Sequence, residues 1–139
     1  MPDRRRGRGL LDTSVVLCLE RVAAVDLPEQ LAVSAVTLAE LAAGPHATGD
    51  PVERARRQDR LQRVEATFDP LPFDGAAARA YGRVHASVVA AGRKARGRRA
   101  GDLLIAAVAL AEQLPLYTCN PDDFAALDEV DVVAVPPPR

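Results

Sequence analysis

A chain of 139 residues is long enough for one packed domain and short for two of ordinary size. With 48% hydrophobic residues, only 4% aromatic and no Trp, the core must be built from Ala, Val and Leu, and a broad aromatic platform for stacking bases is excluded. The net charge of −1 balances segregated parts. Bases cluster at 4–8, 54–63 and 93–99, while the last forty residues carry seven acids against Arg139 alone, a polarity that suits an acidic pocket with basic rims for a phosphodiester.

In chain order, the cluster Arg4, Arg5, Arg6 and Arg8 precedes Leu10-Leu11, but Asp12 breaks the apolar run too early for a secretion signal. No segment is long enough to span a membrane, so the expected location is the cytoplasm. Residues 9–12 read as a first short strand. Thr13 or Ser14 can then cap a helix reaching about residue 24. Residues 31–34 form a second apolar run, followed by a helix over 37–43 that Gly44-Pro45 ends. Residues 51–68 read as a charged amphipathic helix with Pro51 in its first turn. Its bases Arg54, Arg56, Arg57, Arg60 and Arg63 serve equally well as a basic rim or a solvated face. A weaker third strand at 71–73 leads to Asp74, the N-cap of a helix over 75–91.

A basic loop at 92–101 comes next. Asp102 then opens the most apolar helix of the chain, 103–113, hydrophobic nearly all round and therefore buried. Residues 115–119 and 130–135 complete a set of five strands. Strands alternating with helices predict a parallel sheet covered on both faces, with residues 1–8 as an Arg-rich extension and 136–139 as a tail of one domain. Cys18 and Cys119 lie in apolar runs and read as buried reduced thiols. With His46 and His85 scattered, no zinc spacing is present.

In such sheets, sites form beyond the carboxyl ends of the strands. Asp12 ends the first strand, Glu40 lies one turn into the helix after the second, and Asp102 sits in the first turn of the buried helix. Asn120, Asp122 and Asp123 follow the fourth strand. Singly, each acid could be a helix cap or a surface residue. Together they would repel one another unless a cation neutralised them. Mg²⁺ or Mn²⁺ prefers such oxygen ligands, and can activate water and stabilise the leaving oxygen of a phosphodiester. Ser14 lacks a nucleophile-elbow setting and neither His has an evident partner, so nucleophilic catalysis has no candidate.

Four blocks carry a resemblance. LLDTS at 10–14, SAVTLAEL at 34–41, GDLLIAA at 101–107 and YTCNPDDF at 117–124 occur in order over nearly the whole chain. They resemble the motif blocks of PIN-domain ribonucleases, and more narrowly the VapC toxins of bacterial VapBC toxin–antitoxin pairs. The resemblance implies a three-layer α/β/α fold with a short, mostly parallel sheet. It also implies Mg²⁺- or Mn²⁺-dependent endonucleolytic cleavage of RNA, transfer RNA or another structured RNA, that inhibits translation and growth. By matching positions, Asp12, Glu40 and Asp102 are the metal-binding acids. The last block commonly reads T-x-N-x-x-D-F, which falls on Thr118, Asn120, Asp123 and Phe124. Asp123 is then the fourth acid, with Asn120 as alternative or helper. Thr13, Ser14 and Thr118 would be supporting hydroxyls. The basic loop ending at Arg98-Arg99 departs from the minimal pattern, and reads either as cations holding phosphates beside Asp102 or as an exposed loop with no specific role. The resemblance further implies a homodimer and a small VapB-like antitoxin, for which the helices at 37–43 and 51–68 are candidate groove walls.

Two other classes compete. A non-catalytic RNA-binding domain of the same fold would typically lack one of the acids, and this chain keeps them. A phosphatase with an aspartyl nucleophile would need a second Asp two residues after the first, where Ser14 stands.

Overall fold

The computed structural model describes residues 7–92 and 99–138, apart from the Arg99 side chain. Among these residues four strands form one sheet: β1 (Arg8–Leu11), β2 (Gln30–Val33), β3 (Leu116–Thr118) and β4 (Val132–Ala134). The order is β2-β1-β3-β4 and every pairing is parallel, with Leu11 opposite both Val33 and Tyr117. From β1 the chain departs to β2 on one side and later places β3 on the other. The gap between the carboxyl ends of β1 and β3 is therefore the topological switch point, where ligands enter open α/β sheets.

Alternation along the strands sorts the core into two clusters. Leu10, Ala32 and Leu116 enter one, with Ala77 and Val84 of α4 (Gly75–Ala90) and Ile105 and Val108 of α5 (Arg99–Glu112). Leu11, Val33, Tyr117 and Val133 enter the other. There they meet Val15 and Val16 of α1 (Thr13–Val16), Leu41 of α2 (Ala35–Ala43) and Val64 of α3 (Pro51–Thr67). Helices thus cover both faces, giving the expected three-layer α/β/α arrangement. Gly9 is needed for close approach: a β-carbon there would lie 2.5 Å from the Tyr117 ring and 2.9 Å from Pro28.

Local capping sets the helix starts. The Ser34 hydroxyl accepts from the Thr37 N–H at 3.1 Å, so α2 begins at Ala35, two residues before the expected start. Asp50 accepts from Val52 N–H ahead of Pro51, and Asp74 accepts from Ala77 N–H as anticipated. Helix α5 ends in a Schellman motif. The Leu114 N–H donates to the Ala109 carbonyl and the Gln113 N–H to that of Leu110, with Gln113 at φ 56°.

Several expectations need correction. The first helix stops at Val16 rather than near residue 24, and short 3-10 turns at Leu19–Arg21 and Ala24–Asp26 follow. Cys18 leaves the helical region at φ −125°, letting Leu19 and Val22 turn into the same cluster as Val15 and Val16. The strand expected at 71–73 is a single parallel bridge between Leu71 and Ser34. Pro70 and Pro72 flank Leu71, so neither neighbour has an N–H to extend a ladder. The sheet therefore has four strands, not five, and is wholly parallel. Helix α5 opens at Arg99, which draws the end of the expected basic loop into the helix; residues 93–98, Arg98 among them, lie outside the described residues. Cys18 and Cys119 are free thiols, half-buried rather than buried.

Candidate active site

Asp12 follows β1 directly, and its N–H donates to the Tyr117 carbonyl at 2.8 Å, pinning it beside β3. It occupies the N-cap position of α1, yet its side chain caps nothing. Instead, the Ser14 hydroxyl donates to Asp12 Oδ2 at 2.7 Å and the Thr118 hydroxyl donates to the same oxygen at 2.8 Å. Each hydroxyl oxygen also accepts a backbone N–H, Ser14 from Cys119 at 3.1 Å and Thr118 from Asn120 at 3.0 Å. Both hydroxyl protons are thus directed at Oδ2, and the side-chain orientation is held from both sides. The other oxygen, Oδ1, is buried with no hydrogen-bond partner among the described residues. A buried carboxylate oxygen left bare is costly.

Glu40 stands one turn into α2. The Thr13 hydroxyl donates to its Oε1 at 3.1 Å, and Thr13 also contacts the Thr37 hydroxyl at 3.0 Å, which accepts from Ser34 at 3.4 Å. This chain of hydroxyls braces Glu40 from the buried end of α2. Partial burial raises the Glu40 pKa above its ordinary value, the Thr13 hydrogen bond lowers it, and the neighbouring Asp12 charge raises it further. Glu40 also lies against α5. A β-carbon at Gly101 would be 3.5 Å from its Oε1, so the glycine preceding Asp102 is where the two layers touch at the site.

Asp102 sits in the first turn of α5 and is half-buried. Asp123 is exposed on the 3-10 turn Pro121–Phe124, with Asn120 at the preceding cap position, beyond the carboxyl end of β3. All four acids therefore belong to segments at one end of the sheet. Hydrogen bonds join Asp12, Ser14 and Thr118 in one group and Glu40, Thr13, Thr37 and Ser34 in another, and the two groups meet through the charges of Asp12 and Glu40. Among the described residues, no three His, Cys, Asp or Glu side chains are gathered closely enough to form a metal-ligating group. Of the two arginines read as candidates to hold phosphates, Arg99 opens α5 three residues before Asp102 and Arg98 lies outside the described residues.

The donor set nonetheless suits a hard cation. Asp12 presents an unsatisfied buried oxygen, and its charge disfavours ionisation of Glu40, so a divalent ion would relieve both penalties. A softer metal has less to bind. Burial and the adjacent Cys18 thiol push the Cys119 pKa up to about 11, so a softer metal would have to displace the thiol proton to bind there. Thr37 and Ser34 were not singled out from the sequence as site residues. The available signal was Thr37 standing three residues before Glu40, on the same face of the helix.

The family profile described as PIN domain matches residues 10–130. The chain is 40% identical over 133 residues to Ribonuclease VapC5 of Mycobacterium tuberculosis strain H37Rv, spanning 91% of this chain and 95% of that protein. It is also 40% identical over 110 residues to Ribonuclease VapC8 of the same strain, spanning 78% and 96%. Its fold is similar to the crystal structure of VapBC-5, a member of the VapBC family of toxin–antitoxin systems from Mycobacterium tuberculosis. That match has a TM-score of 0.81 and 39% identity, and covers 93% of this chain and 99% of the solved one.

Proposed function

Since the chain belongs to the PIN-domain family and, within it, to the VapC ribonucleases, we propose that it is the ribonuclease toxin of a toxin–antitoxin pair and that its cleavage depends on Mg²⁺ or Mn²⁺. The observation that carries the metal reading is the bare, buried Oδ1 of Asp12 beside the destabilised carboxylate of Glu40. Asp12, Glu40, Asp102 and Asp123 are the proposed ligands. When bound, the ion supplies Lewis-acid activation of water and neutralises charge developing on the phosphate. Ser14 and Thr118 fix the Asp12 carboxylate, Thr13 fixes that of Glu40, and Asn120 shapes the turn that carries Asp123. Arg98 and Arg99, near the start of α5, are proposed to meet substrate phosphates.

A VapB-like antitoxin is the proposed partner, laid against α2 and α3, and the active unit is a homodimer. Among the described residues no helix is long and apolar enough to cross a membrane; the proposed location is the cytoplasm.

The test is cleavage of total cellular RNA by the purified chain. Activity should stop in EDTA and return with Mg²⁺ or Mn²⁺. Asp12→Asn and Asp102→Asn should each lose it by at least about a hundredfold while keeping the native circular dichroism spectrum. Cleavage at the parental rate by Asp102→Asn would remove that residue from the site, and undiminished activity in chelator would remove the metal.

A further inference from the structure

Helix α3 carries five arginines, and their side chains are used unequally. Arg54 donates to the Pro45 and Thr48 carbonyls, and Arg57 to the Gly44 carbonyl and to Glu53. Arg56 pairs with Glu53, and Arg63 with Glu20 and Asp59. Arg60 alone of the five makes no ion pair or hydrogen bond among the described residues, although it is half-buried. An arginine whose stem is packed while its guanidinium has no protein acceptor keeps all five donors free for a ligand.

Its position identifies that ligand. Arg60 lines a cavity of about 300 Å³ together with Thr13, Glu40, Glu53 and Arg57. It also lines a second, more apolar cavity of about 420 Å³ between α1 and α3, and Leu17, 46% exposed, is common to both. The two cavities thus adjoin at Arg60 and Leu17, one holding Glu40 and the other reaching Val64 and Phe68. A strand with its scissile phosphate at the acids needs a cation for a neighbouring phosphate, and a planar five-donor fork fits one bidentately.

We propose that Arg60 binds the RNA phosphate next to the scissile one, steering the strand out of the acidic site and over Leu17 into the α1–α3 cavity. Arg60 is then a positioning residue, acting on the substrate backbone and carrying no sequence information. The inference rests on the ribonuclease reading above.

The experiment compares the full-length parent, Arg60→Gln, Arg60→Lys and, as a control on the far helix, Arg79→Gln. Binding is measured in the cleavage-deficient Asp12→Asn background, with a fluorescein-labelled single-stranded RNA of mixed sequence over a salt series. Cleavage is measured on total RNA and on the same oligonucleotide. Arg60→Gln should weaken binding about tenfold at low salt and flatten the slope of log K against log salt by about 0.7, the contribution of one phosphate on a single strand. It should raise KM while leaving kcat within about twofold of the parent, since only strand positioning is lost. Arg60→Lys should restore the salt slope and part of the affinity, and Arg79→Gln should match the parent.

Parental binding, slope and KM in Arg60→Gln would overturn the inference. So would unchanged RNA binding accompanied by weaker binding of the cognate antitoxin, which would make Arg60 a protein contact. If Arg60→Gln does not fold, a parental KM with loss of the salt slope in Arg60→Lys overturns it equally. An inactive parent in Mn²⁺ would instead sink the ribonuclease reading itself.

Discussion

At the scale of single residues, the site is governed by where hydroxyl protons go. Ser14 and Thr118 both give theirs to Oδ2 of Asp12, and each can do so because a backbone N–H satisfies its own oxygen. Oδ1 is thereby left as the atom able to take a cation. Glu40 shows the complementary effect, since its ionised form is disfavoured by burial and by the Asp12 charge, and only Thr13 opposes them. The consequence for stability has a definite sign. A carboxyl whose folded pKa is raised binds more protons in the folded than in the unfolded state just above pH 4.5, so stability falls as pH rises through that window. In metal-free buffer, urea unfolding of the parent across pH 4.5–6.5 should lose stability with rising pH more steeply than Glu40→Gln, which cannot ionise. Identical slopes would mean that the Glu40 carboxyl is as well solvated folded as unfolded.

At the scale of elements, the chain ends its helices by local chemistry, and one such end is strained. Gln113 closes α5 at φ 56°, where a side chain meets its own backbone and glycine does not. Gln113→Gly keeps both bonds of the Schellman motif, and should stabilise the fold by about 1 kcal/mol, raising the melting temperature by roughly 3–4 °C in a calorimetric scan. A lower melting temperature would mean that the Gln113 side chain makes a contact outweighing the strain. The same local chemistry decided what could be read in advance. Asp74 before an Ala-rich run, Pro51 behind Asp50 and the apolar stretch of α5 each act within one turn, so their helices were legible from the sequence. The break at Cys18 was not, because it depends on Leu19 and Val22 finding a core built in part by residues more than a hundred positions away. Leu71 was misread for the opposite reason: its apolar neighbourhood suggested a strand, while Pro70 and Pro72 had already removed the ladder donors. For the acids, the rule about strand ends was enough to place their segments at one end of the sheet. The hydroxyl chain behind Glu40 and the isolation of Arg60 were invisible, since both follow from which partners neighbouring side chains have already taken.

At the scale of the whole molecule, the proposed ligands come from both sides of the sheet. Asp12 leaves the sheet itself, Glu40 belongs to the helices packed on Leu11, Val33 and Tyr117, and Asp102 to the pair packed on Leu10, Ala32 and Leu116. These two cores are separate, and Gly101 against Glu40 is where their helices meet at the site. A cation held by all three segments would therefore fasten the two helical layers to each other as well as neutralise charge. Binding confined to the folded state stabilises it by about 2.7 kcal/mol at a hundred times Kd, which for a chain of this length should raise the melting temperature by roughly 10 °C. Titrating Mn²⁺ into the parent should give that concentration-dependent rise, and Asp12→Asn should show little of it. Without metal the order should invert or vanish, because Asp12→Asn relieves the repulsion on Glu40 and buries no bare carboxylate. An Asp12→Asn variant that keeps the full Mn²⁺ response would show the ion bound elsewhere. A metal-free variant several degrees less stable than the parent would show Asp12 to be a structural residue, held in the fold by its hydroxyl donors for their own sake.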